Sequence, residues 1–378
     1  MVRAEHVVTI MSTAIRIEML PARLGDCLLV ECLPADGGPP WRMLVDGGPP
    51  DTWKATLRPR LERLAGDRSR LDLVIVTHID SDHIGGMIPF FREKALGIEI
   101  GDVWFNGHVH LPAPGATREM RSPAQGEQFT AELLGEDDAP AFPWNDAFGC
   151  GPVETPDEGA FIEVPTAIGS PRLTLLSPTP KRLAILEPGW STWLDRARGI
   201  GDEGDEPPPP PPPPLTDLRA LAAAPSSVDP SKPNGSSIAV LVEHRGASCL
   251  LGADAFGNVL GGALIALAVH RGVSRLPVDA VKLPHHGSRN NISNGLMQTV
   301  TARHWLVSSN GDRFGHPDDI ALARVVTNAD PGSTLWFNYR NARTARWDDP
   351  ELRAEHGYDV RYPDATGAGI VLELEERP

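Results

Sequence analysis

The sequence predicts an α/β fold in which helices cover the outer faces of β-sheets. Short apolar runs alternate with turn clusters rich in Gly and Pro, which is the pattern of strands separated by loops. A few longer stretches instead have the apolar spacing of amphipathic helices. Several of the apolar runs end in a histidine or an aspartate. Because loops at strand ends often hold the chemistry of such folds, we expect a functional site there.

The individual elements follow from these patterns in chain order. Helices are predicted over residues 56–67, 260–273 and 318–329. Strands are predicted over residues 14–20, 27–33, 42–48, 71–78, 102–107, 172–178, 236–244, 247–254, 278–286, 304–309 and 333–338.

Size and charge limit the function classes. The chain has 378 residues, of which 41% are hydrophobic and 22% charged, so we expect one folded unit over residues 14–378 after a flexible N-terminus at 1–13. The net charge of -15 disfavours broad attraction to nucleic acid or to an anionic membrane. Bound divalent ions would reverse the potential locally, so net charge alone does not decide the substrate.

An acidic run followed by eight consecutive prolines interrupts this unit at residues 201–214. Such a run forms neither a helix interior nor a central strand. We therefore expect a disordered or polyproline II insertion over residues 199–232. The insertion is either a plain spacer or a ligand for an aromatic groove in a protein partner.

The cysteines and the N-terminal residues bear on the cellular compartment. The four cysteines form no CxxC pair, so a disulfide framework is not expected. Charged residues interrupt the apolar stretch that a signal peptide would need, and no segment is apolar over the length that spans a bilayer. We expect a cytoplasmic protein that does not associate with a membrane.

The strongest chemical signal is the segment THIDSDHIGG at residues 77–86, directly after a predicted strand. It places His78, Asp80, Asp82 and His83 within six residues of one another. Imidazole nitrogens and carboxylate oxygens suit zinc, manganese or iron, and clustering them on one loop can position two adjacent ions. The segment therefore predicts a metal site.

This segment resembles the metal-binding motif of the metallo-β-lactamase superfamily, in the variant where Asp80 stands in place of the usual second histidine. That variant is typical of the hydrolase domain of DNA-uptake competence proteins, the ComEC-like branch, and of the phosphorylcholine esterases similar to it. The resemblance implies an αββα four-layer sandwich. It also implies two divalent ions, with Zn²⁺ the first choice and Mn²⁺ the second.

Further segments extend the resemblance along the chain. Leu24–Val30 resembles the Gly-Asp turn between the opening strands of the family, and the residues around Asp46 resemble its Val-Asp-Gly-Gly strand end. Asp254 follows a strand end like the one that carries the carboxylate shared by both ions. The resemblance implies that Asp46, together with Asn234 and Ser237 of the Asn-x-x-Ser segment, supports the ligands through hydrogen bonds.

The segment VKLPHHGS at residues 281–288 is nearly diagnostic of the same branch. His286 is the preferred ligand, whereas His285 either ligates in its place or faces the substrate, since a sequence does not distinguish adjacent imidazoles. Lys282 and Ser288 are expected to contact the substrate. Asp82 and His285 are also counted among the catalytic candidates.

A late loop, residues 308–317, resembles the Gly-His-Pro loop of the family. Its His316 is the third catalytic candidate, which either protonates the leaving group or holds a phosphate oxygen. Arg313 is expected to assist electrostatically by binding substrate. A loop histidine before a proline turn is the plain structural alternative.

One departure from the family pattern concerns the first ion. Many relatives supply a further histidine between the first motif and the shared aspartate, and here that position falls in residues 234–237. The first ion is then left with His78, Asp80 and Asp254, and we expect it to be held weakly. His108 and His110 are possible substitutes. The second ion is expected to be held by Asp82, His83, Asp254 and His286.

The resemblance and the ligands together imply a metal-dependent hydrolase, in which two ions activate water for attack on an ester. A phosphodiesterase or nuclease is the first choice, acting on a nucleotide, a single strand or a small phosphoester, because the chain lacks a basic stripe with aromatics. One alternative is hydrolysis of a non-nucleic ester, such as a phosphorylcholine ester, a lactone or an amide. The other is a non-catalytic binding subunit that holds little metal.

Overall fold

Two β-sheets packed face to face form the centre of the protein. The computed structural model describes residues 12–65, 70–111, 128–134, 141–186, 212, 214–215, 217–365 and 367–377. The strands of the described residues are β1 (Thr13–Met19), β2 (Leu28–Cys32), β3 (Trp41–Val45), β4 (Arg70–Leu71), β5 (Leu73–Ile75), β6 (Glu99–Ile100), β7 (Val103–Trp104), β8 (Ile162–Val164), β9 (Arg172–Ser177), β10 (Ala239–His244), β11 (Ala247–Leu251), β12 (Leu276–Lys282), β13 (Val300–Val307), β14 (Ser333–Phe337), β15 (Tyr358–Arg361) and β16 (Ile370–Glu375).

Helices cover the outer faces of both sheets. They are α1 (Pro50–Thr52), α2 (Arg58–Ala65), α3 (Ser81–Ile84), α4 (Met87–Arg92), α5 (Gln128–Leu134), α6 (Pro180–Leu186), α7 (Leu218–Ala223), α8 (Lys232–Gly235), α9 (Gly257–His270), α10 (Asn294–Met297), α11 (Asp319–Asn328) and α12 (Pro350–His356). A π-helical turn, Trp53–Leu57, joins α1 to α2, and short 3₁₀ turns lie at Lys94–Gly97, His108–His110, Asp146–Phe148, Pro284–Gly287 and Ala345–Asp348.

The sheets have different strand orders. The first sheet runs β16-β1-β2-β3-β5-β7, and the second runs β15-β14-β13-β12-β11-β10-β9-β8. In the first sheet β3, β5 and β7 are parallel neighbours, and in the second β11 to β15 are parallel. Parallel neighbours end at the same edge, so the loops that follow β3, β5, β11, β12 and β13 share one end of the sandwich.

The alternation of side chains along the strands produces the layers. On β2, Val30 faces the core between the two sheets, whereas Leu29 packs on the helices outside the first sheet. On β11, Cys249 faces the inter-sheet core, and Leu250 packs beneath α9 and α11. Three apolar layers therefore separate four layers of structure, which confirms the predicted αββα sandwich.

The predicted insertion over residues 199–232 is wrong in its C-terminal part. Residues 218–223 form α7, which lies against α11 in the helical layer of the second sheet, and Leu218 and Ala222 are buried. Asp217 caps α7 by accepting a hydrogen bond from the backbone N–H of Ala220. The acidic residues and most of the proline run lie outside the described residues, as does most of the N-terminus at 1–13.

None of the helices in the described residues combines the length and the hydrophobicity that crossing a bilayer requires.

Candidate metal centre

The site forms where five loops meet at one end of the sandwich. The loop after β5 carries His78 to His83, Asp46 follows β3, and Asp254 follows β11. The Pro284–Gly287 turn after β12 brings the two adjacent histidines, and Ser308 follows β13. The two sheets are joined here by a hydrogen bond from the backbone N–H of Ile238 to the carbonyl of Thr77.

Glycines allow these loops to approach each other closely. A Cβ on Gly86 would lie 2.1 Å from the carbonyl oxygen of Gly47, and a Cβ on Gly25 would lie 1.8 Å from that of Asp82. Both contacts are too short for any side chain. The Gly-Gly pair and the Gly-Asp turn of the sequence therefore serve backbone packing around the ligand loop.

One group of donor atoms surrounds a point beside Asp254 Oδ1. His83 Nε2 lies 3.4 Å and His286 Nε2 3.7 Å from this oxygen. Asp82 Oδ2 is 3.5 Å from His286 Nε2 and 4.0 Å from His83 Nε2. These distances suit a cation placed between the four groups, because each donor is near its neighbours without bonding to them.

A second group lies beside the other oxygen of the same carboxylate. Asp254 Oδ2 is 4.0 Å from His78 Nε2 and 3.7 Å from His285 Nε2. Asp80 Oδ2 is 3.6 Å from His78 Nε2. Asp254 thus faces two groups of ligands with its two oxygens, as expected for a carboxylate shared between two ions.

Several donor atoms of the site are buried without a hydrogen-bond partner. Within the described residues these are the Nε2 atoms of His78, His83 and His286 and the Oδ1 atom of Asp254. Leaving a buried polar atom unpaired costs about 1–3 kcal/mol. Bound cations would satisfy four such atoms directed at one another, so the residues fit a pair of divalent metal ions.

Asp46 fixes the two histidines of the first motif. His83 Nδ1 is 2.8 Å from Asp46 Oδ2, and the Thr77 hydroxyl donates to that same oxygen at 2.7 Å. The Thr77 oxygen is left to accept from His78 Nδ1 at 3.0 Å. Both imidazoles therefore carry their proton on Nδ1 and direct a free Nε2 lone pair into the site. The expected supporting role of Asp46 agrees with this geometry.

A buried ion pair supports His286. Its Nδ1 lies 3.0 Å from Ser308 Oγ and 3.3 Å from Asp26 Oδ1, while Asp26 Oδ2 is 2.8 Å from Lys282 Nζ. Burial alone would raise the pKa of Asp26, but the ammonium of Lys282 and the imidazole of His286 outweigh it and hold the pKa well below its usual range. Asp26 is thus a charged acceptor for His286.

Two expected substrate contacts are wrong for the same reason. Lys282 is 1% exposed and bound to Asp26, so its ammonium supports the ligand His286 instead of reaching substrate. Ser288 is 3% exposed, and its hydroxyl accepts a hydrogen bond from the backbone N–H of Asn290. The sequence shows both side chains next to the histidines but not the direction in which they point.

Asn234 and Ser237 were both expected to support the ligands through hydrogen bonds, but only Asn234 lies beside them. The amide of Asn234 donates to Asp229 Oδ2 at 2.9 Å and lies beside His285. Ser237 is fully buried, and its hydroxyl has no hydrogen-bond partner in the described part of the chain. Asn234 therefore belongs to the surroundings of the ligands, whereas support by the Ser237 side chain is wrong.

His285, and not a residue of the loop after β7, lies beside the second oxygen of Asp254. The ring of His110 packs on Trp144 at 4.7 Å between centroids, and its Nδ1 accepts from the backbone N–H of Gly107. Neither His108 nor His110 occurs in the groups of converging donor atoms found among the described residues. The predicted substitution by His108 or His110 finds no support in these contacts, whereas His285 Nε2 lies 3.7 Å from Asp254 Oδ2 on the side of the missing histidine.

The remaining predicted residues lie at the rim. His316 is 5.1 Å from His285 between ring centroids, with its Nδ1 3.6 Å from Asp318 Oδ2. Arg313 lies over the ring of Phe314 at 5.2 Å, and Phe314 is 52% exposed. The late loop thus brings a buried imidazole and an Arg–Phe pair to the first-ion side.

The carboxylates give the site an excess of negative charge. Burial alone would lower the pKa of His285, but Asp254 outweighs it and helps raise that pKa to about 9. The pKa of His83 is also raised despite burial, by Asp254 and Asp46. The site therefore favours positive charge, either as protons on the imidazoles or as metal cations in their place.

Backbone strain also occurs in these loops. Four of the eleven described non-glycine residues with left-handed φ values lie here, with φ of 57° for Asp46, 45° for Ala253, 47° for His285 and 52° for His286. Each such conformation costs about 1–2 kcal/mol. The strain is consistent with a functional site, where surrounding contacts hold side chains in directions that an unstrained turn would not give.

Comparisons with known proteins give two likenesses. The chain is similar to the ComE operon protein 3 of Bacillus subtilis (strain 168), with 25% identity over 186 residues that cover 46% of this chain and 23% of that protein. The chain therefore spans less than a quarter of the length of this relative. A mutant of the CmlA beta-hydroxylase is similar at 15% identity and a TM-score of 0.37, over 96% of this chain and 54% of that one, which is too weak to bear on function.

The family itself is shown by a match over residues 25–294, well over half of the chain. The matched stretch contains both ligand groups, the shared carboxylate and the supporting ion pair. The weak likeness to the ComE operon protein agrees with the ComEC-like branch. The chain belongs to the metallo-β-lactamase superfamily.

Proposed function

We propose that this protein is a two-metal hydrolase of phosphodiesters. The observation that carries the proposal is Asp254, whose two oxygens face two separate groups of nitrogen and carboxylate donors. Two ions bound about 3.5–4 Å apart would activate water and neutralise the charge on the attacking and leaving oxygens of an in-line displacement. The four unpaired donor atoms speak against a scaffold that holds no metal.

The two sides of the site differ in the solvent exposure of their side chains, and the more exposed side is where a substrate can enter. The side chains of His83 and His286 are 0% and 1% exposed, whereas Asp80 is 34% and His285 is 22% exposed. The substrate therefore approaches from the side of His285. The groups closest to that opening are the ones that orient it.

His316 stands at this opening. Burial lowers the pKa of its imidazole, and the nearby carboxylate of Asp318 only partly opposes that effect. A neutral imidazole is suited to hydrogen bonding with a phosphate oxygen, which favours that role over protonation of the leaving group.

The Arg313–Phe314 pair supports a nucleotide or a single strand as the phosphodiester. An exposed aromatic ring beside a guanidinium is the combination on which an unpaired base and its phosphate are bound. The ComEC-like resemblance points to DNA as well. The net charge of -15 opposes binding of a long duplex, so a short or single-stranded substrate fits best.

A chromogenic comparison tests the proposal. Protein loaded with Zn²⁺ or Mn²⁺ is assayed on bis(4-nitrophenyl) phosphate and on an aryl lactone, beside the same protein treated with a chelator. We expect hydrolysis of the phosphodiester, abolished by chelation and by Asp82→Ala. Turnover of the lactone alone would contradict the proposal, and so would phosphodiester turnover that survives both treatments.

A further inference from the structure

Two adjacent histidines at the end of β12 are held by different carboxylates. His286 Nδ1 faces Asp26 and Ser308, whereas His285 Nδ1 lies 3.1 Å from Asp229 Oδ2. The two rings are 5.9 Å apart and inclined by 72°. Their Nε2 atoms consequently face opposite oxygens of Asp254. The direction of His285 thus depends on contacts that His286 does not share.

We propose that Asp229 is a positioning residue that makes His285 a ligand of the first ion; this inference rests on the proposed two-metal function. Asp229 is 5% exposed, and its Oδ2 accepts hydrogen bonds from the amides of Asn234 at 2.9 Å and Asn291 at 3.0 Å. These two donors hold the carboxylate in place. A held carboxylate only accepts, so it keeps the proton of His285 on Nδ1 and leaves the Nε2 lone pair for the ion.

Asn291 provides a second hydrogen-bond acceptor for His285 Nδ1 and connects His285 to Asp254. Its Oδ1 lies 2.9 Å from His285 Nδ1, so the N–H of His285 points between Asn291 and Asp229. Its amide also donates to the backbone carbonyls of Asp254 and Ala255, both at 3.2 Å. Asn291 is fully buried. The orientation of His285 and the position of Asp254 are therefore set by one connected group.

Hydrogen bonds hold the segment that contains Asp229 in place, both before and after this residue. On one side the buried guanidinium of Arg324 donates to the carbonyls of Ala222 and Ala224 and to the Ser226 hydroxyl. On the other, the backbone N–H of Ser231 donates to Asp229 Oδ1 at 2.8 Å. Retention of the first ion is therefore coupled to the packing of residues 217–236. The second ion shares Asp254 with this group, but its two imidazoles are supported outside it, His83 by Asp46 and His286 by Asp26.

The experiment compares Asp229→Ala with Asp217→Ala in the full chain. Asp217 lies in the same segment and caps α7 without contacting the site, so it controls for loss of local structure. Each protein is stripped of metal and titrated with Co²⁺, and binding is followed by the visible spectrum and by calorimetry. Thermal unfolding of the stripped proteins is measured in parallel.

We expect Asp229→Ala to keep one tightly bound ion per chain and to bind the other about 10–100-fold more weakly, with a change in the Co²⁺ spectrum. Asp217→Ala should bind both ions as the parent does, even if its unfolding temperature falls. Parent-like binding by Asp229→Ala would overturn the inference, and so would equal weakening of both ions. A parent chain that binds no metal would instead contradict the proposed function.

Discussion

The two halves of the metal centre share one carboxylate but are built differently. On the side of the second ion, His83 and His286 are fully buried and backed by Asp46 and Asp26. On the side of the first ion, Asp80 is one-third exposed and lies beside the buried His78. In the proposed mechanism, the buried half holds an ion and the open half exchanges ligands with a substrate. The difference in burial thus divides metal retention and substrate access between the two sides of the proposed centre.

The largest expected effect comes from the residue that the halves share. Asp254→Ala removes a donor from both groups and leaves the imidazoles without their common anion. We expect loss of both ions and a fall in phosphodiester kcat/KM of more than about 1000-fold. Elemental analysis after desalting and a steady-state assay measure this, with Asp36→Ala on an exposed loop as control. Retention of one full equivalent of metal would show that the halves are independent.

Lys282 should contribute strongly to the unfolding free energy, because it neutralises the buried charge of Asp26. Lys282→Met leaves Asp26 buried without its cation, which costs about 3–5 kcal/mol of unfolding free energy. Urea denaturation of the metal-free protein measures it. Adding Asp26→Asn removes the unpaired charge, so the double variant should recover much of the loss. A single variant as stable as the parent would mean that the ion pair contributes nothing to the fold.

Asp80 and Asp82 lie two residues apart on one loop but belong to different donor groups, so substituting each in turn tests which ion each group binds. We expect Asp80→Ala to weaken the first ion about 10–100-fold and to leave the second unchanged, and Asp82→Ala to do the reverse. Competition with a chromogenic chelator resolves the two affinities. If both variants weakened the same ion, the assignment of the two donor groups would be wrong.

The smallest effect concerns strain beside the shared carboxylate. Ala253 has a φ of 45°, where a glycine fits better, so Ala253→Gly should raise the unfolding free energy by about 1 kcal/mol. Ala255→Gly, at a buried position without a positive φ, should lower it. Chemical denaturation compares the pair. A loss of stability in both variants would mean that the strain at Ala253 is negligible.

Much of the fold follows from the sequence because the strands are apolar runs that end in turns. The three helices predicted at 56–67, 260–273 and 318–329 correspond to α2, α9 and α11. The edge strands β8, β15 and β16 were missed. On β16, buried Leu372 and Leu374 alternate with exposed charged residues, so the strand is half exposed and its apolar signal is weaker.

The site was predicted as far as its motifs extend. The ligand loop, Asp254 and the histidine pair come together as expected, because each follows a strand at the same end of the sandwich. Asp229 and Asn291 were missed, since each lies in a polar loop without a recognisable motif and its role depends on the folded geometry. The misassigned Lys282 shows the opposite error, in which proximity in sequence suggests a contact that folding directs elsewhere.

The most direct test of the two-ion centre is anomalous diffraction at the zinc edge from crystals of the zinc-loaded protein. We predict two peaks about 3.5–4 Å apart, one on each side of Asp254. One peak should contact His286 and the other His285. A single peak, or two peaks that leave either of these histidines without metal, would contradict the account.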